Sequence, residues 1–480
     1  PEWVKDAIFY QIFPDRFAKS DRLNKPANLE PWESPPTVYG YKGGDLYGVT
    51  ERLDYLEEVG VTALYFNPVF QSASNHRYHT HDYYRVDPML GGNKALRALL
   101  DACHARGIRV VLDGVFNHAS RGFFQFHDIM ENGEKSVYAD WFHIRGFPLY
   151  AYHEDQTIGY AAWWNLPALP KFNTGTLAVR EFLWDVATFW LEFGIDGWRL
   201  DVPNEIADAS FWQEFRRRCR AVNPECYIVG EIWDDAGRWL HGDQFDAVMN
   251  YPFTRAAFGF FGAKTLDHKE ISRCGYKHIP ALTSAESFAS AVKTLLTTYP
   301  KDVTEVQLNL LGSHDTPRAL SVVSGDEAAL RLALLFLFTF PGAPCLYYGD
   351  ELGLTGGHDP DCRQSMPWHR STWNHGLRDY LKSLIRLRKA HPALRRGAYT
   401  TLYAHGDVYI AAREHGGERL IVVFNTGSKE LPLDIELSEG KTGLNGLYHD
   451  LQGGLKASLH GRRLSGPGIG ARSGAIFKQA

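Results

Sequence analysis

The stretch Gly197-Trp198-Arg199-Leu200-Asp201-Val202-Pro203-Asn204-Glu205 sets an arginine and an aspartate two residues apart, after an apolar run that reads as a helix entering a buried strand. Strand side chains alternate faces, so Arg199 and Asp201 share one face and Trp198 and Leu200 the other. Similar polar endings close other short β-type runs: Asp113-Gly114-Val115-Phe116-Asn117-His118, Glu231-Ile232-Trp233 and His314-Asp315. Asp113 alone is explained as readily by capping a following helix as by chemistry. Asp201, Glu231 and Asp315, taken with Arg199, two histidines and an asparagine, form a set that structural needs rarely require.

Clustered carboxylates of this kind suit several chemistries. A Mg²⁺-type site would accept the acids but gives no reason for an arginine on the same strand face. Glycosidic bond cleavage does: one carboxylate held ionised by a cation attacks the sugar carbon, and a second, kept protonated, donates to the leaving oxygen. Arg199 suits Asp201 to the first task. The apolar neighbours Ile232 and Trp233 suit Glu231 to the second, and Asp315 is available to hold hydroxyls and stabilise oxocarbenium-like charge.

Such residues must be brought together by a scaffold. Eight short β-type runs recur: 7–13, 61–68, 108–118, 195–201, 226–233, 245–251, 306–315 and 343–351. Between them lie stretches with apolar residues at helical spacing, such as NKALRALLDACHARG and ASFWQEFRRRCRAV. The alternation predicts an α/β fold, a (β/α)8 TIM barrel whose active site lies at the C-terminal ends of the strands. The interval after the third run, 118–170, is too long for a plain loop and predicts an inserted subdomain, so the barrel covers 1–117 and 171–396. From 397 to 480, alternating runs divided by Gly-rich turns predict a C-terminal antiparallel β-sandwich domain.

Composition narrows the partners. The net charge of −5 comes from interspersed charges with no basic block, which argues against nucleic acid. The most apolar run, LALLFLFTF, is too short to span a bilayer, so no membrane partner is expected. Six scattered cysteines without C-x-x-C pairs predict no disulfide framework. The expected address is cytoplasmic; a leader removed before the first residue would leave the same start, so secretion stays open. Aromatics make up 14% of the chain and cluster with polar residues in YAAWWN and SVYADWFH, a combination that suits sugar rings.

Together these residues resemble the α-amylase family of glycoside hydrolases, in the branch of neopullulanases, cyclomaltodextrinases and maltogenic amylases. DGVFNH (113–118), GWRLDVPNE (197–205), EIW (231–233) and LLGSHDTPR (310–318) look like its four signature regions in order, and LPKFN (169–173) and GDQFDAVMNYPF (242–253) resemble two further segments. The resemblance implies a retaining mechanism with Asp201 as nucleophile, Glu231 as general acid/base and Asp315 as transition-state stabiliser. It further implies that Arg199 steers Asp201, that His118 and His314 bind hydroxyls of the sugar being cleaved, and that Tyr78 stacks on its ring. Asp359 and Arg363 would grip the non-reducing side, Trp233 would form a platform on the leaving-group side, and Asn204 and Glu205 would match the branch's pattern for dual linkage.

Departures from the family are equally informative. An N-terminal β-domain that builds the branch's dimer has no counterpart here, so oligomerisation by that route is not expected. His79 stands where relatives carry an acid, and Asp234 where many carry histidine. The segment 18–28 with 43–45 resembles a calcium loop in which Asp21, Asn24, Gly43 and Asp45 would supply oxygens, but Lys19 and Lys25 occupy two ligand positions. An ammonium cannot coordinate Ca²⁺ but can replace it, so no cofactor is required and a structural Ca²⁺ is not expected. The expected substrate is an oligosaccharide: α-1,4-linked maltooligosaccharides or cyclodextrins, with α-1,6 bonds as a further target. An exo-acting α-glucosidase or a transglycosylase on the same scaffold remains open, and a catalytically silent binding subunit is the reading from another class.

Overall fold

The computed structural model describes residues 1–153, 157–437 and 444–480. The inserted segment 118–170 and the C-terminal region 397–480 therefore each contain positions outside the described residues. The chain divides into two units: Pro1 and Tyr10–Val248 with Gln364–Met366, and Glu2–Phe9 with Met249–Arg363 and Pro367–Ala480.

The first unit carries β1 (Phe9–Ile12) from Tyr10 onward, β2 (Ala63–Phe66), the hairpin β3 (Phe70–Ser72) and β4 (Thr80–Val86), then β5 (Arg109–Gly114), β6 (Gly197–Leu200), β7 (Tyr227–Gly230) and β8 (Ala247–Val248). Its main sheet runs β8-β7-β6-β5-β2-β1, with parallel pairing from β2 to β8. The second unit adds β9 (Leu308–Leu310) and β10 (Ala343–Tyr347), paired in parallel. Each of the eight runs read from the sequence contains one of these strands, and the alternation with helices is that of a (β/α)8 barrel. The β3–β4 hairpin was not anticipated: its strands are short and separated by the polar turn around Asn75 and His76.

Helices form where apolar spacing and caps agree. Helix Ala209–Val222 starts at Asp208, whose side chain accepts from Ser210 N, and buries Phe211, Trp212, Phe215 and Cys219 along one face. Helix Leu177–Glu192 buries Trp190 against Phe70, rings stacked at 5.1 Å. Below β6, Trp198 is fully buried, meets Phe116 edge-on at 5.5 Å and donates its N–H to Ala187 O. This is the outward face that strand alternation assigns to it, and it leaves Arg199 facing inward.

After helix His375–Ala390 and a break at Pro392, the second unit ends in β11 to β18, from Ala398–His405 to Ser473–Gln479. Among the described residues these eight antiparallel strands, with β12 (Val408–His415), β13 (Glu418–Asn425), β14 (Leu431–Glu436), β15 (Gly446–Asp450), β16 (Lys456–His460) and β17 (Arg463–Ile469) between the first and last, hydrogen-bond in the order β11-β12-β13-β18-β15-β16-β17-β14 around a core that includes Ile410, Ile421, Val423, Leu459 and Phe477. All six cysteines are free thiols. Among the described residues, no helix is long and apolar enough to cross a membrane.

Candidate active site

Strand register assembles the first unit's site. Asp113 on β5 pairs with Arg199 on β6, and Leu200 with Gly230 on β7, so Glu231 follows directly beside Asp201. The backbone continues the ladder past the strand ends: Asp201 N donates to Gly114 O at 3.0 Å and Glu231 N to Leu200 O at 2.9 Å. These acids therefore stand at the C-terminal rim because the sheet's last hydrogen bonds hold them there.

One buried guanidinium serves three carboxylates. Arg199 Nη1 donates to both oxygens of Asp113 at 2.9 and 3.0 Å and to Asp201 Oδ1 at 3.0 Å, while Nη2 lies 2.9 Å from Glu231 Oε2. Glu231 also accepts from Val202 N at 3.1 Å and from Trp233 Nε1 at 3.0 Å. This differs from the apolar company that Ile232 and Trp233 suggested: the Trp233 indole meets the acid through its N–H, and a cation faces its other oxygen. Burial pushes the Asp113 carboxyl above its ordinary range against the pull of Arg199. A single cation facing three acids makes full ionisation of all three costly, so the cluster is built to hold a proton.

A second layer orients Asp113. Its Oδ2 accepts from Tyr78 OH at 2.8 Å and Tyr65 OH at 3.1 Å; Asn67 Nδ2 donates to Tyr78 OH and Gln11 Nε2 to Asn67 Oδ1. Tyr78 is thus fixed at its hydroxyl while its ring remains half-buried. His118 is buried, stacks on Trp163 at 5.4 Å, and has its pKa pushed down to about 3 by burial, so it is neutral near neutral pH. Asn204 and Glu205 lie exposed on the turn after Asp201, with Glu205 Oε2 2.9 Å from Lys171 Nζ.

Sequence reasoning missed Tyr65, Asn67, Gln11 and the backbone of Val202, and left Asp113 undecided. For Asp113 the signal was register, since it stands one residue before the end of β5 as Arg199 stands one residue before the end of β6. Val202 takes φ 36° and ψ 50°, a left-handed conformation rare for a β-branched residue, and valine gives no hint of it in the sequence.

The second unit gathers His314, Asp315, Asp359 and Arg363. His314 is buried with Nε2 3.0 Å from Asp315 Oδ2. Arg363 donates from Nε to His314 O at 3.0 Å, and its Nη atoms lie 3.4 Å from Asp315 and 3.1 Å from Asp359. Arg363 is buried and Asp359 exposed, so the arginine works first as a brace for the turn carrying Asp315.

In the loop resembling a calcium site, Lys25 Nζ contacts Gly43 O and lies 2.5 Å from Asp45 Oδ2. Asp45 is buried and also accepts from Ser20 and from Gly48 N. Lys19 instead lies over the Trp32 ring, and Asp21 and Asn24 are exposed. With an ammonium on two of the four expected oxygen donors, this set does not fit Ca²⁺. Among the described residues, no group of three or more His, Cys, Asp or Glu side chains is disposed to hold a metal ion.

A family model described as the catalytic domain of alpha amylase matches residues 11–392. The chain belongs to the alpha-amylase family. Within this family of glycoside hydrolases it is 46% identical over 442 residues to a cyclomaltodextrinase of Geobacillus thermopakistaniensis, covering 91% of this chain and 72% of that one. It is 45% identical over 469 residues to neopullulanase 2 of Thermoactinomyces vulgaris, covering 96% and 77%. Among solved structures of the alpha-amylase fold, Ttha1563 from Thermus thermophilus is similar with TM-score 0.95, 49% identity and full coverage of both chains. The acarbose-soaked debranching enzyme of Nostoc punctiforme is similar with TM-score 0.88 and 46% identity over 99% of each.

Proposed function

We propose that this alpha-amylase family member cleaves α-1,4-glucosidic bonds in maltooligosaccharides and cyclodextrins, and α-1,6 bonds in related α-glucans, by double displacement with net retention. The observation that carries the reading is the Arg199 fork, one nitrogen on Asp201 and the other on Glu231. A single planar guanidinium gripping both acids favours a short separation, of about 5–5.5 Å, at which one carboxylate attacks directly; inverting pairs stand about 6.5–9.5 Å apart to admit water.

In this reading Asp201, ionised beside Arg199, attacks the anomeric carbon while Glu231 gives its proton to the departing oxygen. The glycosyl–Asp201 ester forms as the glycosidic bond breaks. Glu231, now a carboxylate, takes a proton from water, and the resulting attack frees the sugar and regenerates both acids. Tyr78 offers its ring to the sugar being cleaved, and neutral His118 offers a hydroxyl contact. On the second unit, Asp315, His314, Asp359 and Arg363 are assigned to sugar hydroxyls, with Asp315 stabilising the oxocarbenium-like charge. Trp233, Asn204 and Glu205 are assigned to the leaving-group side. The domain limits 1–117 with 171–396, 118–170 and 397–480 belong to the same proposal. So does a cytoplasmic address, supported by 40% identity to the intracellular maltogenic amylase of Bacillus subtilis.

Incubation with maltotriose, a cyclodextrin and pullulan, beside an Asp201→Asn control, tests the reading. Products from the wild type and none from the variant support it, and a wild type inert on all three substrates overturns it.

A further inference from the structure

His118, Trp163 and Trp164 stack in succession, with centroids 5.4 Å apart at 20° and then 4.3 Å apart at 11°. The first ring is buried and the last is 77% exposed. Trp164 (φ 51°, ψ 24°) and Asn165 (φ 56°) are consecutive non-glycine residues in the left-handed region. Each costs on the order of 1–3 kcal/mol, so a turn serving only to reverse the chain would be cheaper with glycine.

The surrounding backbone leaves the turn little freedom. Trp163 N bonds Leu169 O, Asn165 N bonds Ala162 O, Leu166 N bonds Trp163 O, and Lys171 N bonds Ala161 O. Tyr160 OH closes on Pro167 O at 2.6 Å. A strained, braced turn thus holds a large apolar ring in water, one face covered by Trp163 and the other open. Core packing explains Trp163, which lies between two rings, but not Trp164. Pyranose rings present C–H faces that such an indole stacks against, and the stack leads to His118.

We propose that Trp164 is a stacking platform for a glucose unit lying beyond the units at the bond being cleaved, so that this enzyme favours longer α-glucan chains. The inference rests on the hydrolase reading and adds a distal binding site to it. The ring supplies its open face, Trp163 rigidifies it, and the left-handed backbone fixes its presentation at low entropic cost on binding.

The test compares wild type, Trp164→Ala and Trp164→Phe on maltotriose and maltoheptaose, with thermal unfolding of each as a check on folding. For Trp164→Ala, kcat/KM on maltoheptaose is expected to fall about tenfold through KM and on maltotriose less than twofold, with Trp164→Phe restoring most of the loss. Equal rates for wild type and Trp164→Ala on both substrates, or an equal loss on both, overturn the platform while wild-type cleavage of maltotriose leaves the hydrolase reading standing. A wild type inert on both substrates overturns that reading and the platform with it. Fluorescence titration of Asp201→Asn protein with maltoheptaose, with and without Trp164→Ala, reads the same site without turnover; unchanged affinity contradicts the proposal.

Discussion

Arg199 Nη2 lies 2.9 Å from Glu231 Oε2 while Nη1 of the same side chain lies 3.0 Å from Asp201 Oδ1. The arginine is therefore the positioning residue of the site, and its planarity matters as much as its charge. Arg199→Lys keeps the charge but gives a point donor that cannot serve both acids in fixed geometry. We predict a fall in kcat of about 100-fold with KM changed by less than about threefold, measured by steady-state kinetics on maltotriose. A variant within twofold of wild type would contradict the role.

Val202 turns through a left-handed conformation to aim its N–H at Glu231 Oε2. Glycine adopts this conformation without strain and keeps the donor, whereas proline fixes φ near −65° and has none. Val202→Gly should retain activity within about fivefold and Val202→Pro should lose at least about 100-fold in kcat. Equal kinetics in the two variants would sink the argument.

Lys25 takes the place in the 18–45 loop that a cation would fill. Removing its charge leaves buried Asp45 without its cation, so Lys25→Met should destabilise by roughly 3 kcal/mol in urea unfolding. Chelator should leave the wild-type Tm unchanged. One Ca²⁺ per chain by elemental analysis, released by chelator with a lowered Tm, would refute this.

Burial holds His79 at a pKa of about 4, below its ordinary 6.5. Between those values the unfolded chain binds a proton that the folded chain refuses, so stability falls as pH drops from 6.5 towards 4. His79→Asn should remove about 2 kcal/mol of the loss between pH 7 and 4.5, read from unfolding free energies at each pH. Parallel stability curves for wild type and variant would place the acid sensitivity elsewhere.

Lys171 and Glu205 form a partly exposed pair tying the Lys171 backbone to the turn after Asp201. Lys171→Met should cost less than about 1 kcal/mol in stability. Its effect should instead show as a change of at least about twofold in the ratio of rates on pullulan and maltotriose. An unchanged ratio would remove this pair from linkage selection.

Much of the site was legible because strand alternation is strict: Trp198 and Leu200 outward, Arg199 and Asp201 inward follows from spacing alone. The barrel was legible for the same reason, since its eight strands each carry a distinct apolar run. Other features depend on what the backbone does between elements. The left-handed turn at Val202 contradicts valine's own preference, and Glu231's polar contacts come from a neighbouring loop and from the far edge of an indole. The family resemblance put both Lys19 and Lys25 in the cation loop, but only tertiary packing sends Lys19 to Trp32 and Lys25 to Asp45.

The central claim is that Asp201 becomes covalently bound to the sugar. A 5-fluoroglycosyl fluoride incubated with Glu231→Gln protein, followed by intact-mass and peptide mass spectrometry, tests it directly. The account predicts one added sugar per chain, located on Asp201 and absent in Asp201→Asn. A stable adduct on another residue, or wild-type product released with inverted anomeric configuration, would contradict it.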